Sequence, residues 1–150
     1  SIDCVEIDKH FDQVIQDPRV MPHLHLSIQA GDNMILKRMK RRHNADDVRN
    51  FVMQCRSLRR DITFGADIIA GFPTETDEMF FNTYKLLQEC KISHLHIFPF
   101  SPKENTPAAR MPQLQKSIIK QRAQKLRQLG EELLDEVKKE FYLPRKPPYF

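Results

Sequence analysis

Cysteine is scarce in this 150-residue chain: Cys4, Cys55 and Cys90 are the only three, set 51 and 35 residues apart. So few thiols argue against a disulfide framework, and with no signal-peptide pattern at the start the expectation is a reducing, cytoplasmic setting. No apolar run approaches the ~20 residues that a membrane-spanning helix needs, so no membrane is expected as a partner. Internal repeats and low-complexity tracts are also missing. The length and the 40% hydrophobic content allow one domain with a modest core, whereas a complete α/β barrel takes ~250 residues, so at most part of one is expected. Charge is not scarce: 24 Lys and Arg against 20 Asp and Glu leave +4, a mild bias toward a polyanionic partner.

What is present is organised around residues 62–76, an Ile-rich run that stops at Gly71-Phe-Pro73. A short apolar run bounded by turn residues predicts a strand covered on both faces, as in parallel sheets. Asp67 lies inside it. A carboxylate there costs several kcal/mol unless it is hydrogen-bonded, paired or facing a polar cavity, so it is either a structural hydrogen-bond acceptor or a site residue. Gly71 suits a positive φ or a close backbone approach, Pro73 fixes its own φ, and Thr76 with Asp77 and Glu78 suits an N-cap with an acidic first turn. In parallel α/β folds such strand-end turns are where ligands bind.

Around this stretch the pattern alternates. Residues 1–7 read as the end of a strand, and Asp8 as the cap of a helix through Phe11, Val14 and Ile15 that ends before Pro18. Residues 21–28 place Leu24, Leu26 and Ile28 on one side and His23, His25, Ser27 and Gln29 on the other. That polar side faces either a cavity or, in an edge strand, water; two histidines two residues apart suit a metal, but no third ligand is apparent. Lys37, Arg38, Lys40, Arg41 and Arg42 form the densest basic run, read as a solvated face, as phosphate contacts or as a partner for a carboxylate. No aromatic residue interleaves them, so base stacking is not suggested. Asn44 caps a helix with the stripe Val48, Phe51, Val52, Cys55 and Leu58; the helix opened by Thr76 turns Met79, Phe80, Thr83, Leu86, Leu87 and Cys90 inward. Residues 92–98 form the next strand, with His94 and His96 opposite Leu95 and Ile97. Residues 99–112 form a loop, and 117–141 a long amphipathic helix that Gly130 weakens and bends. The basic, proline-rich residues 144–150 read as a linker or tail. Strand and helix in alternation give α/β architecture built of parallel βα units.

Three blocks carry a resemblance. His23-Leu-His-Leu-Ser-Ile-Gln-Ala-Gly-Asp32 with Leu36-Lys-Arg-Met-Lys-Arg-Arg42, Asp67-Ile-Ile-Ala-Gly-Phe-Pro-Thr-Glu-Thr76, and Phe98-Pro-Phe-Ser-Pro102 with Thr106-Pro-Ala108 resemble, in order, strands four, five and six of the radical S-adenosylmethionine methylthiotransferases. The wording is most similar to the branch acting on threonylcarbamoyl-adenosine in tRNA; Lys103 and Asn105 stand where that branch usually has Arg and Gly, and Ala30 where it often has Ser. The resemblance implies a partial TIM-type barrel over 1–115 (about strands three to six), a closing helix over 116–143, and a linker at 144–150 toward an RNA-binding domain. It implies S-adenosylmethionine as cofactor, with Ser27, Gln29, Asp67, Gly71, Phe98 and Pro99 as its contacts and tRNA on Lys37, Arg38, Lys40, Arg41 and Arg42. The family's iron–sulfur cluster needs CxxxCxxC, a spacing this chain lacks, so the chain alone is expected to hold no cluster and to be inactive. The alternative is a non-catalytic basic α/β module, or a truncated product, binding RNA or S-adenosylmethionine. A first strand whose neighbour is missing implies self-association through unpaired strand edges.

Overall fold

The computed structural model describes residues 2–5 and 10–141. Three parallel strands, β1 (His23–Gln29), β2 (Thr63–Ala70) and β3 (His94–Pro99), lie in the order β1-β2-β3. Helices α1 (Phe11–Gln16), α2 (Asn33–Arg38), α3 (Ala45–Leu58) and α4 (Asp77–Glu89) connect or precede them, and α5 (Lys116–Phe141) closes the chain after a short 3-10 turn at Ala108–Arg110. The α/β architecture of parallel units with a long C-terminal helix is thus as the residue pattern predicts.

Three of the helices start where side chains satisfy their first N–H groups. Asn44 and Asp47 form a reciprocal capping box on α3, Thr76 accepts from Met79 N at 3.1 Å on α4, and Asp32 accepts from Ile35 N at 3.0 Å on α2. These bonds answer donors that have no partner within the helix.

The core lies on one face of the sheet. Leu24, Leu26 and Ile28 of β1 and Phe64, Ala66 and Ile68 of β2 are buried together with Val48, Phe51, Val52 and Cys55 of α3 and Leu86 and Leu87 of α4. Ala123, Leu126, Leu129 and Leu133 of α5 complete it, and this helix packs on β3 and β2. Fully burying each such large side chain stabilises by about 1.5–3 kcal/mol.

Five expectations are corrected. Only Ile2 of the described residues in segment 1–7 joins the sheet, through one parallel bridge to Leu26, while Cys4 and Val5 lie in a turn. The reason is Asp3, whose Oδ1 accepts from Val5 N at 3.1 Å and draws the backbone out of the ladder. Helix α5 is continuous through Gly130; a Cβ there would lie 3.3 Å from Leu95 Cβ, so the glycine serves close packing on β3 rather than a bend. The loop after β3 contains the 3-10 turn. His94 rather than Ile92 opens β3, and Gln29 extends β1 by one residue. Asn105 takes φ 64, a left-handed conformation that suits glycine and that Asn tolerates better than most side chains. Asp8 and residues 144–150 lie outside the described residues.

Candidate functional site at the strand ends

The opposite face of the sheet is polar because all three strands place polar residues at the same alternation. Register pairs His23 with Thr63, His25 with Gly65, Gly65 with His94 and Asp67 with His96. Four imidazoles and one carboxylate therefore share one face. Gly65 makes room among them, since a Cβ there would lie 2.8 Å from His25 Nδ1 and 3.0 Å from the carbonyl oxygen of His94.

Two tiers result. In the lower tier His23 and His94 meet edge to face at 4.8 Å between centroids; His23 Nδ1 is 2.7 Å from Thr63 Oγ1, and His94 Nδ1 is 2.9 Å from Ser93 Oγ. Burial, with smaller repulsions from neighbouring histidines, holds both imidazoles below the ordinary histidine value, which favours their neutral forms. In the upper tier Asp67 Oδ1 lies 2.9 Å from His25 Nε2 and 3.4 Å from His96 Nδ1.

Above the upper tier, at the C-terminal ends of β2 and β3, opens a cleft of about 500 Å³ lined by Gln29, Asp67, Ile69, Phe98, Pro99 and Phe100, with Ser101, Lys103, Thr106 and Ala108 at its rim. Phe100 also packs edge to face on Phe72 at 5.4 Å, and both belong to a small cluster with Ala30, Ile35 and Leu36. The cleft is thus largely apolar with a carboxylate and an amide at one end, a composition typical of small-molecule sites.

The sequence-based candidates divide by geometry. Gln29, Asp67, Phe98 and Pro99 reach the cleft wall. Ser27, on the same face two residues before Gln29, is engaged by Arg41, whose Nη2 donates to Ser27 Oγ at 2.8 Å and to Ser27 O at 3.0 Å. Arg41 Nε is buried and has no hydrogen-bond partner among the described residues. Gly71 has φ 77 and faces α5 rather than the cleft: a Cβ would lie 2.6 Å from Ile119 Cγ1.

The basic run also splits. Arg41 turns inward, and Arg38 Nη1 donates to Thr74 Oγ1 at 2.7 Å, bracing the turn after β2. Lys37, Lys40 and Arg42 are exposed, with Arg42 3.7 Å from Asp3.

Two features escape sequence reasoning. His96 pairs with Asp67 only through the β2–β3 register, which no local spacing reveals. Arg122, on the inward stripe of α5, reaches the loop after β2: it donates to Glu75 Oε1 at 2.9 Å, Glu75 O at 2.8 Å and Asp77 Oδ1 at 2.8 Å. Burial pushes the Glu75 carboxyl up to about 7 while Arg122 pulls it down.

A parallel sheet backed by helices on one face, with a ligand-sized cleft at its strand ends, defines an α/β domain of parallel βα units. The model of the radical SAM superfamily matches residues 6–87, and the chain belongs to that superfamily. It is 56% identical over 137 residues to the threonylcarbamoyladenosine tRNA methylthiotransferase of Rickettsia prowazekii, covering 91% of this chain and 32% of that protein. It is 40% identical over 114 residues to the tRNA-2-methylthio-N(6)-dimethylallyladenosine synthase of Ehrlichia ruminantium, covering 75% of this chain and 26% of that protein. The chain therefore spans between about a quarter and a third of the length of these relatives. In fold it is similar to coproporphyrinogen III oxidase from Escherichia coli, a radical SAM enzyme, with a TM-score of 0.70 at 16% identity over 88% of this chain and 31% of that one. No helix among the described residues is long and apolar enough to cross a membrane.

The cysteines do not fit the iron–sulfur cluster that the superfamily implies. Cys55 and Cys90 are buried at the helices, Cys4 is half-buried, and burial pushes their thiols up to about 12, 11 and 12 respectively for Cys55, Cys90 and Cys4. Thiols held protonated in packed positions are poor ligands, since the thiolate is the ligating form.

Proposed function

We propose that this chain forms the cofactor-receiving part of a radical SAM tRNA methylthiotransferase, with S-adenosylmethionine in the strand-end cleft and a threonylcarbamoyladenosine-bearing tRNA as substrate. The observation that carries the cofactor assignment is the strand-end cleft itself, whose lining sets the Asp67 carboxylate and the Gln29 amide against the apolar wall of Phe98, Pro99 and Phe100. Gln29 offers both donor and acceptor, and Asp67 keeps its second carboxylate oxygen, Oδ2, to accept from ribose hydroxyls. Phe98, Pro99 and Phe100 supply an apolar wall for the adenine, and Gly71 keeps the turn tight beneath α5.

Held by Gln29, Asp67 and the wall of Phe98, Pro99 and Phe100, S-adenosylmethionine would supply radical chemistry on an adenosine base once an iron–sulfur cluster, which these cysteines do not hold, gives it one electron. This chain's own part is to bind, orient and exclude water, because its cysteines do not suit a cluster. The tRNA assignment rests on the relatives, which are named for the modification of tRNA. The exposed Lys37, Lys40 and Arg42 are its phosphate contacts, while Arg38 and Arg41 position the loops behind them.

The test is calorimetric titration of the chain with S-adenosylmethionine. Asp67→Ala and Gln29→Ala should each weaken binding by about 1–3 kcal/mol, the cost of removing a hydrogen bond to the ligand. Unchanged affinity in variants whose circular dichroism is native would overturn the cofactor assignment. For the RNA, replacing Lys37, Lys40 and Arg42 by Ala should flatten the salt dependence of tRNA binding, by up to ~0.9 in slope for each phosphate no longer neutralised; an unaltered slope would return the run to a solvated face.

A further inference from the structure

We propose that His25, Asp67 and His96 form a binding site for a single divalent transition-metal ion of the zinc, cobalt and iron(II) class, set at the floor of the strand-end cleft. The three come from three adjacent parallel strands, and their ligand atoms all lie within 4.8 Å of one another. Two imidazole nitrogens and one carboxylate oxygen are the donor set that borderline divalent ions prefer, and three protein ligands are the number found where a further position stays open.

Hydrogen bonding alone does not account for the arrangement. The 2.9 Å contact from His25 Nε2 to Asp67 Oδ1 is a good hydrogen bond, but His96 Nδ1 approaches the same oxygen only to 3.4 Å, beyond the usual range. Both distances bracket the separation of roughly 3.3 Å that ligand atoms keep around a tetrahedral ion with bonds near 2.0–2.1 Å. Gly65 makes room for the His25 ring itself: a Cβ there would come within 2.8 Å of Nδ1 and displace the imidazole that presents Nε2 to Asp67. An entry path exists because Asp67 also lines the open cleft. The open side of the ion would face that cleft, where it would take a nitrogen, sulfur or water ligand from whatever occupies it.

The ion would bind with neither S-adenosylmethionine nor RNA present, so its test is independent of the proposed activity. The chain is titrated with cobalt(II) chloride, read by visible d–d absorption, and then with zinc(II) chloride in competition. The expected result is one ion per chain, without the near-ultraviolet charge-transfer bands of a cobalt–thiolate bond, displaced by zinc. Asp67→Asn, which keeps shape and hydrogen bonding, and His96→Ala should each lower affinity about 100-fold or more, since even outer-shell partners are worth 10–100-fold. His94→Ala, on the same face but outside the trio, should leave affinity unchanged. No stoichiometric cobalt, thiolate bands, or a native-fold Asp67→Asn chain that binds cobalt as tightly as the original would each overturn the site.

Discussion

The two faces of the three-stranded sheet are built from alternate residues of the same strands and obey opposite rules. On the helix-covered face, Leu26, Ile28, Phe64, Ala66 and Ile68 are fully buried, and their contribution is area removed from water, which any close-packed apolar set of the right volume supplies. On the polar face, His25, Asp67 and His96 remain partly exposed in an otherwise tightly built sheet. Their contribution is position: each is fixed by the register of a parallel ladder, which holds the three side chains in one arrangement. The contrast teaches that burial and placement are set separately here, residue by residue along one strand.

Neighbouring residues of β2 offer the sharpest way to break that separation. Phe64→Ala empties the centre of the apolar face and should cost about 3–5 kcal/mol, read as a fall in the urea midpoint with an unchanged slope. A comparable cost from Asp67→Asn would show that the polar face also carries the fold. Gly65→Ala, one residue along, pushes a Cβ against His25 and the His94 carbonyl and should cost about 1–3 kcal/mol by overpacking. Its distinguishing sign is a displaced His25, visible as a shifted imidazole resonance.

The smallest expected effect is a pH dependence from the lower histidine tier. His23 and His94 have depressed values in the folded chain, so the unfolded chain binds protons first, and the stability they contribute is present above about 6.5 and lost as the pH falls through the window below it. Denaturant titrations between neutral pH and pH ~5 should show a shallower decline for His94→Gln than for the native chain. Equal declines would mean that the tier is solvated like ordinary surface.

Much of the fold is legible in the residue pattern, and the rest is hidden for identifiable reasons. Period-two alternation exposes the polar side of β1, and period 3.6 gives α3, α4 and α5, because both report burial directly. Asp67 stands out as a carboxylate within an apolar run. The partnership of Asp67 with His96 is invisible because it depends on how two distant segments align, not on spacing within either. Arg41 reads as part of a basic run because sequence records charge but not the direction of a long side chain, whose stem can lie along apolar surface while its head turns inward. The alternation within residues 1–7 suggests a strand, and Asp3 overrides that pattern with a local hydrogen bond.

The grip of α5 on the loop after β2 has a mechanical meaning. Ile119 lies against Gly71, and three residues later Arg122 holds Glu75 and Asp77, so one turn of the helix clamps both ends of the segment that leads from the central strand into α4. The clamp is stiff, being made of a side chain wedged onto bare backbone and a buried, multiply bonded guanidinium. The same helix is buried further along at Ala123, Leu126, Leu129 and Leu133, so its 26 residues act as a single strut that ties the turn after β2 to the core under the sheet.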